Sequence, residues 1–413
     1  MLEFFVTNSN LLIVFLGATL LSITCSIIGT FNFLQKKSLV GDAVSHSTLA
    51  GICLAFVITG NKNIFILLIG GAISAFFWLY ILKKIPLNSK ISEDPATAIV
   101  LATSFSFGIM ILSGIQKTGN SSQAGLNNFL LGKIASLLEK DLYTIIFLSI
   151  LIVFLFFILL KEFTIVSFDR EYANSVGLKV RSIELVFTFL SVFTIVVGVR
   201  IVGILLISAM LITPSVAAKF WTKSLKKMLL ISSIIGIFSS LVGVFISYKY
   251  ANMPSGPCIV VAATIFAYIS FLFSPKQGYV FRYFSQKRHE KKVLTENILK
   301  MIYEKKISIG VSYDNFCEQL LLNFNISKKK AKTTLIYLFK KKLLANPNNQ
   351  IETTILGQEE GKRVFKMHIL WEAYLSKYLK IKQDHVHDDA EGIEHILTPE
   401  IVKELENILN LNF

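Results

Sequence analysis

Apolar runs of membrane-spanning length recur along the first two thirds of the chain, near 11–34, 43–59, 63–82, 95–115, 142–160, 183–199, 201–218, 228–248 and 258–274. The pair flanking Arg200 reads equally as one broken element, so the pattern predicts eight or nine transmembrane helices. A further segment, 125–138, is too short to span and is expected to be re-entrant. After Pro275 the pattern turns amphipathic. One helix starts near Leu294 and carries apolar Ile298, Leu299, Met301 and Ile302. Two more cover Tyr313–Asn323 and Ser327–Leu344, with a break at Asn325 and Ser327 placed as an N-cap. The polar ANPNNQ and the β-prone IETTI follow, completing the outline of a winged helix-turn-helix. The predicted fold class is an all-α polytopic membrane protein with a C-terminal winged-helix and helical domain. Its expected divisions are a membrane domain over 1–275, a basic linker over 276–292, a winged-helix-like domain over 293–356 and a helical domain over 357–413.

Composition sharpens this division. The chain has 413 residues, 53% of them hydrophobic, and a mean hydropathy of +0.60, above the range of a soluble enzyme. Residues 1–275 hold only ten Asp or Glu and a single histidine, whereas the tail holds 23 Lys/Arg and 17 Asp/Glu. Basic residues in short loops set orientation. With the N-terminus outside, the inside loops carry 13 Lys/Arg and the outside loops six. The tail and its basic start, Lys287 to Lys292, then lie in the cytoplasm of a bacterial inner membrane. The N-terminus lacks the basic region of a signal peptide, so the first span is expected to be retained. Cys25, Cys53, Cys258 and Cys317 form no CxxC, and neither a disulfide framework nor a cysteine-rich zinc site is expected. The nearest approach to a Walker A loop, Gly125 to Gly132-Lys133-Ile134, has the wrong spacing and lacks the Ser or Thr that holds magnesium. Nucleotide-driven transport therefore needs an ATPase on another chain.

The single histidine of the membrane domain, His46, stands four residues after Asp42 in GDAVSHSTLAG. On a helix this spacing puts both side chains on one face, able to meet a common ion. Imidazole with carboxylate suits Mn, Fe or Zn. The competing reading is that Asp42 caps the helix and His46 is a packed core residue. Ionisable groups inside a span are costly and usually functional, which favours the ion. QKKSLVGDAVSHSTLAGICLAF resembles the second-helix signature of permeases in the zinc/manganese/iron ABC uptake family. The segments ISEDPATAIVLATSFSFGIMIL, FDREYANSVGLKV, VGILLISAMLITPSVAA and NMPSGPCIVV resemble further family motifs in the same order, over roughly residues 10–274. The resemblance implies a permease working as a homodimer or a pair in membrane lipid, with a separate cytoplasmic ATP-binding subunit and an extracytoplasmic metal-binding protein. It puts Asp42 and His46 at the positions that contact the transported metal. No cofactor is expected to be bound permanently and no covalent chemistry is implied. Within the loop 161–182, it implies a short helix over Phe168 to Leu178 that docks on the ATPase. Phe168, Asp169, Arg170, Glu171 and Tyr172 supply the mixed polar and aromatic contacts such an interface uses; the alternative is a solvated linker.

In the tail, Lys328, Lys329, Lys330 and Lys332 open the second helix of the winged-helix outline, where they would meet phosphate if that helix enters a DNA groove. The alternative is a solvated lysine face. Beyond it, LGQEEGKRVFKMHILWEAYL and HVHDDAEGIEHILTPEIVKEL resemble the dimerisation and metal-sensing region of manganese- or iron-dependent transcriptional repressors. Glu391, Glu394 and His395 fall at i, i+3 and i+4, so one helix face offers two carboxylates and an imidazole. The resemblance adds His368 and Glu296 as ligands of that site, and Glu372 and His387 as a secondary site. Val293 stands where those repressors carry another metal residue. Four of the six histidines lie between His368 and His395.

The function expected is therefore the membrane permease of an ABC importer for manganese, iron or zinc, with a metal-responsive cytoplasmic tail. The alternative is a membrane-tethered, metal-dependent DNA-binding regulator; release of the tail by proteolysis near Pro275–Lys292 would reconcile the two. A proton- or sodium-driven carrier ranks lower, because apart from Asp42 the spans offer very few acids.

Overall fold

The computed structural model of the chain describes residues 9–60, 63–117, 139–250, 253–275, 277–304, 311–346, 350–378 and 399–409. The expected re-entrant segment, 125–138, lies outside them. The chain divides into two compact units, Met1–Phe281 and Arg282–Phe413.

The first unit is built from α1 (Ser9–Leu34), α2 (Ser38–Thr59), α3 (Ile64–Asn88), α4 (Glu93–Lys117), α5 (Glu139–Ile158), α6 (Leu160–Phe168), α7 (Arg170–Ser175), α8 (Val180–Val202), α9 (Ile204–Trp221), α10 (Leu225–Lys249) and α11 (Ser255–Phe273). Lipid offers backbone N–H and C=O groups no partner, so a spanning segment must satisfy them within a helix. Among the described residues, α1, α2, α3, α4, α8, α10 and α11 are each long and apolar enough to cross a membrane. The pair α5 and α6 makes an eighth such segment, bent by 63°. The remaining apolar run, 201–218, falls mostly on α9, whose apolar part, Leu206–Trp221, is shorter. Phe65, Ile69, Ile73, Phe77 and Tyr80 form an exposed stripe down α3, an apolar face suited to lipid.

The break between α8 and α9 falls at Gly203, three residues beyond the Arg200 break read from the sequence, because α8 continues through Arg200 to Val202. Gly203 has φ 94° and ψ 161°, a region that only glycine occupies without strain. Glycines elsewhere set how closely helices approach. A Cβ on Gly51 of α2 would lie 2.1 Å from the carbonyl oxygen of Gly70 in α3. One on Gly29 of α1 would lie 1.8 Å from that of Leu211 in α9. Between lipid-solvated helices the drive to associate comes from such close packing and from interhelical hydrogen bonds. The bonds are there too: Thr30 of α1 and Ser215 of α9 are paired at 3.2 Å, and Ser232 of α10 donates to the Ser26 carbonyl at 3.3 Å.

Four buried rings fasten the bent segment. Phe31 of α1 meets Phe156 of α5 at 5.1 Å between centroids, Phe156 meets Phe163 of α6 at 5.7 Å, and Phe163 meets Phe187 of α8 at 5.4 Å. Edge-on and tilted geometries of this kind add about 0.5–1.5 kcal/mol per pair beyond burial.

The second unit contains α12 (Tyr279–Glu304, whose first turn holds the division), β1 (Val311–Ser312), α13 (Tyr313–Phe324), α14 (Lys328–Lys340), β2 (Leu344–Ala345), β3 (Gln350–Thr353), α15 (Ile355–Tyr378) and α16 (Pro399–Leu409). The stretch 279–292, read from sequence as linker, is helical throughout. The strands form an antiparallel sheet with β3 in the centre, Val311 opposite Ile351 and Leu344 opposite Thr353. Asn325, with φ 45°, makes the turn between α13 and α14, and Ser327 caps α14 by accepting from the Lys330 N–H. Ile298, Leu299, Phe316, Leu320, Leu335, Leu338 and Ile351 make its core. This is a winged helix, with α15 and α16 continuing the chain beyond it.

The conformation at Gly203 yields a prediction. Gly203→Ala forces an L-residue into a glycine-only region and should destabilise the first unit by about 1–3 kcal/mol, seen as a lower melting temperature in detergent. Gly114→Ala, where an added methyl meets nothing within 4 Å, should leave the melting temperature unchanged or raise it. Equal melting temperatures for Gly203→Ala and the parent would contradict the strained-junction reading.

Candidate functional site

Helix α2 begins at Ser38, and no side chain caps it. Asp42 lies one turn in, so the capping role does not apply. Its Oδ1 is instead 3.4 Å from His46 Nε2. Two other helices close around the pair. The Ser208 side chain of α9 lies beside the Asp42 carboxylate, and the Phe105 ring of α4 stands edge-on to the His46 imidazole at 4.6 Å. His46 is 8% exposed, while the Asp42 side chain is 31% exposed. The carboxylate therefore faces accessible space and the imidazole lies behind it. His46 Nδ1 is buried with no protein partner. An unsatisfied buried polar atom costs about 1–3 kcal/mol, so the ring is held where water or an ion can repay it. Carboxylate oxygen and imidazole nitrogen together suit borderline divalent ions. Sequence spacing identifies the pair; Ser208 and Phe105 come from distant helices and leave no local signal.

The loop 161–182 is ordered around a small core of Val166, Ala173 and Val180. Within the expected Phe168–Leu178 helix, the structure forms the shorter α7. Asp169 is its N-cap and accepts the Tyr172 N–H at 2.8 Å. Gly177, with φ 82°, ends it. Arg170 Nη2 pairs with Glu184 Oε2 at 3.4 Å. Phe168, Glu171 and Tyr172 remain exposed, and Val176 joins them. Asp169 thus shapes the turn, while the others present a surface. On the other side, Phe163 and a Gln35–Ser167 hydrogen bond of 2.9 Å fix α6 to the bundle.

In the second unit, Lys328, Lys329, Lys330 and Lys332 are exposed at the start of α14. Lys330 Nζ is 3.8 Å from Glu290 Oε2. Of the tail's metal-site positions, Glu391, Glu394, His395 and His387 lie outside the described residues. Glu296 and His368 are buried on facing helices, α12 and α15. Arg363 Nη2 lies 3.1 Å from Glu296 Oε1, Lys300 Nζ lies 3.5 Å from His368 Nδ1, and Glu372 Oε1 lies 3.1 Å from His368 Nε2. Among the described residues, no three His, Cys, Asp or Glu side chains converge as a metal site. The described half of this site does not fit a metal, since cationic side chains stand against both ligand positions.

Residues 7–274 match the ABC 3 transport family, and residues 354–411 match the metal binding and dimerisation domain of iron dependent repressors. The chain is 33% identical to the "Manganese transport system membrane protein MntC" of Bacillus subtilis, over 88% of this chain and 84% of that protein. It is 36% identical to the "Zinc transport system membrane protein TroC" of Treponema pallidum, over 67% of this chain and 92% of that one. Among solved structures it resembles PsaBC from Streptococcus pneumoniae in complex with Fab, with TM-score 0.61 and 31% identity, covering 70% of this chain and 100% of that one.

The Asp169 cap supplies the second prediction. Asp169→Ala should cost the α7 turn about 1 kcal/mol and speed amide exchange over 170–176 several-fold, with the transmembrane helices unaffected. Unchanged exchange over 170–176 would remove the cap from the account.

Proposed function

The chain belongs to the ABC 3 transport family, and on that premise we propose that it is the integral permease of an importer for a divalent transition metal, manganese or iron, with zinc accepted by the same ligand chemistry. Family membership supports a separate cytoplasmic ATP-binding subunit and an extracytoplasmic metal-binding protein as partners, with a second permease copy or a paired permease. The excess of Lys and Arg in alternate loops supports an outside N-terminus and a cytoplasmic tail in a bacterial inner membrane. The names of the manganese and zinc relatives support the cargo class.

The observation that carries this reading is the Asp42–His46 pair, enclosed by three helices, with His46 buried and its Nδ1 unpartnered while the Asp42 carboxylate stays partly accessible. An ion delivered from outside exchanges part of its water for the Asp42 carboxylate and the neutral His46 ring. Two protein ligands hold it well enough to admit it and loosely enough to release it. Closure and opening of the pathway is driven through the exposed face of Phe168, Glu171 and Tyr172, which we assign to a groove of the ATP-binding subunit. No bond is made or broken in the protein.

A second reading, a metal-dependent DNA-binding regulator tethered to the membrane, is favoured by the winged helix with four exposed lysines opening α14. The two are compatible in one chain. DNA affinity of the full chain in nanodiscs, lost on replacing Lys328, Lys329 and Lys332 with Gln, tests it.

For transport, Asp42→Ala and His46→Ala should each abolish metal uptake in cells lacking their own importers, at undiminished levels of folded protein. Ser208→Ala, which removes only the group orienting Asp42, should weaken apparent affinity by about tenfold. Normal uptake by both well-expressed Ala variants would reduce the pair to packing. Replacing Glu171 and Tyr172 with Ala should leave metal binding intact while the ATP-binding subunit no longer co-purifies; retained co-purification would place the coupling contact elsewhere.

A further inference from the structure

Helix α12 carries Lys292, Glu296 and Lys300 at i, i+4 and i+8, along one face. Across from them, α15 comes close at Gly361, where an added Cβ would lie 2.7 Å from the Leu299 carbonyl oxygen. Between the two helices the charges alternate. Arg363 Nη2 donates to Glu296 Oε1 at 3.1 Å, and Lys292 Nζ stands 3.8 Å from the same oxygen. Lys300, only 6% exposed, brings its ammonium to within 3.5 Å of His368 Nδ1. His368 Nε2 is 3.1 Å from Glu372 Oε1.

The proton inventory fixes the roles. An ammonium has donors only, so His368 Nδ1 faces it as an acceptor, and the ring proton sits on Nε2 and is donated to Glu372. His368 Nδ1 is thus already turned to a cation. The Glu296 carboxylate is likewise met by a guanidinium and an ammonium. A metal ion ligated by Glu296 and His368 would have to displace Arg363 and Lys300 and take a place among like charges. A buried lysine is unfavourable without partners, and His368, itself held by Glu372, stands against this one.

We propose that Arg363 and Lys300 are built-in counter-ions of the tail's sensor-like site. They hold α12 against α15 with the protein's own charges, so that Glu296 and His368 do not ligate a transition metal and this part of the tail is assembled whether metal is present or not. The winged helix, whose core includes Leu294, Ile298, Leu299 and Ile302 of α12, is then held in one arrangement independently of metal supply. This inference does not depend on the transport reading, which concerns Asp42 and His46.

The test is amide hydrogen exchange of the full chain in nanodiscs, with Mn(II) alone in excess or with EDTA, read on peptides covering 292–304 and 358–372. Local readout separates the tail from any ion bound in the membrane domain. The wild type should exchange at the same rate in both conditions. Lys300→Met or Arg363→Gln, by opening a ligand position, should make exchange at least several-fold slower in Mn(II) than in EDTA. An insensitive wild type with a response in either variant supports the proposal. A Mn(II) response in the wild type, or none in any of the three proteins, overturns it.

Discussion

Gly51 of α2 and Gly70 of α3 let two helix backbones pass so closely that a single methyl group on Gly51 would collide with the Gly70 carbonyl. A methyl on Gly108 of α4 would likewise lie 3.0 Å from the backbone nitrogen of Ala50 in α2. Lipid gives helices no hydrophobic reason to associate, so close packing of this kind decides which helix takes the middle of the bundle. Here α2 is, with α1, the most enclosed of the spans, with α3 and α4 pressed against it and α9 across the Asp42 end. A polar pair on an outer helix would snorkel into solvent or remain unpaired. On α2 it is enclosed by Phe105 and met by Ser208, with the Asp42 carboxylate left accessible.

The second dependence is mechanical. The loop expected to meet an ATP-binding partner does not hang free. Its α6 is bent by 63° from α5 and carries Phe163 into the ring cluster with Phe31, Phe156 and Phe187. Phe31 belongs to α1, which contacts α9 at Gly29 and Leu211, one turn from Ser208. Packed cores are rigid and transmit displacement, so a push on α7 has a continuous path of side chains toward Asp42 and His46. The tail follows the same logic with charge in place of packing, its α12 and α15 joined through Glu296, Arg363, Lys300 and His368.

Much of this is legible in the sequence because the strong signals are local. All nine apolar runs are helical, and Asn325 and Ser327 mark their turn and cap where turn chemistry puts them. The Asp42–His46 spacing reads directly as a shared helix face. What sequence leaves hidden is set by backbone conformation or by distant partners. Gly203 breaks the α8–α9 pair through a φ that no composition reveals, whereas Arg200, the visible polar interruption, stays helical. The bend at Leu159 falls inside an unbroken apolar run. Ser208 and Phe105 are ordinary residues until the fold carries them to Asp42 and His46. Lys300 and Arg363 carry no local signal, and only the approach of α12 to α15 makes them partners of an imidazole and a carboxylate.

The central claim is that the transported ion touches His46, and a change of ligand chemistry tests it most directly. Thiolate favours softer metals than imidazole does. His46→Cys should raise the ratio of Cd(II) to Mn(II) uptake by about tenfold or more, a shift of roughly 1.4 kcal/mol in relative affinity. A cysteine on the exposed stripe of α3, Phe77→Cys, should leave the ratio where it is in the parent. A His46→Cys protein that transports both ions in the parent's ratio would show that the metal passes without meeting residue 46, and would contradict the account.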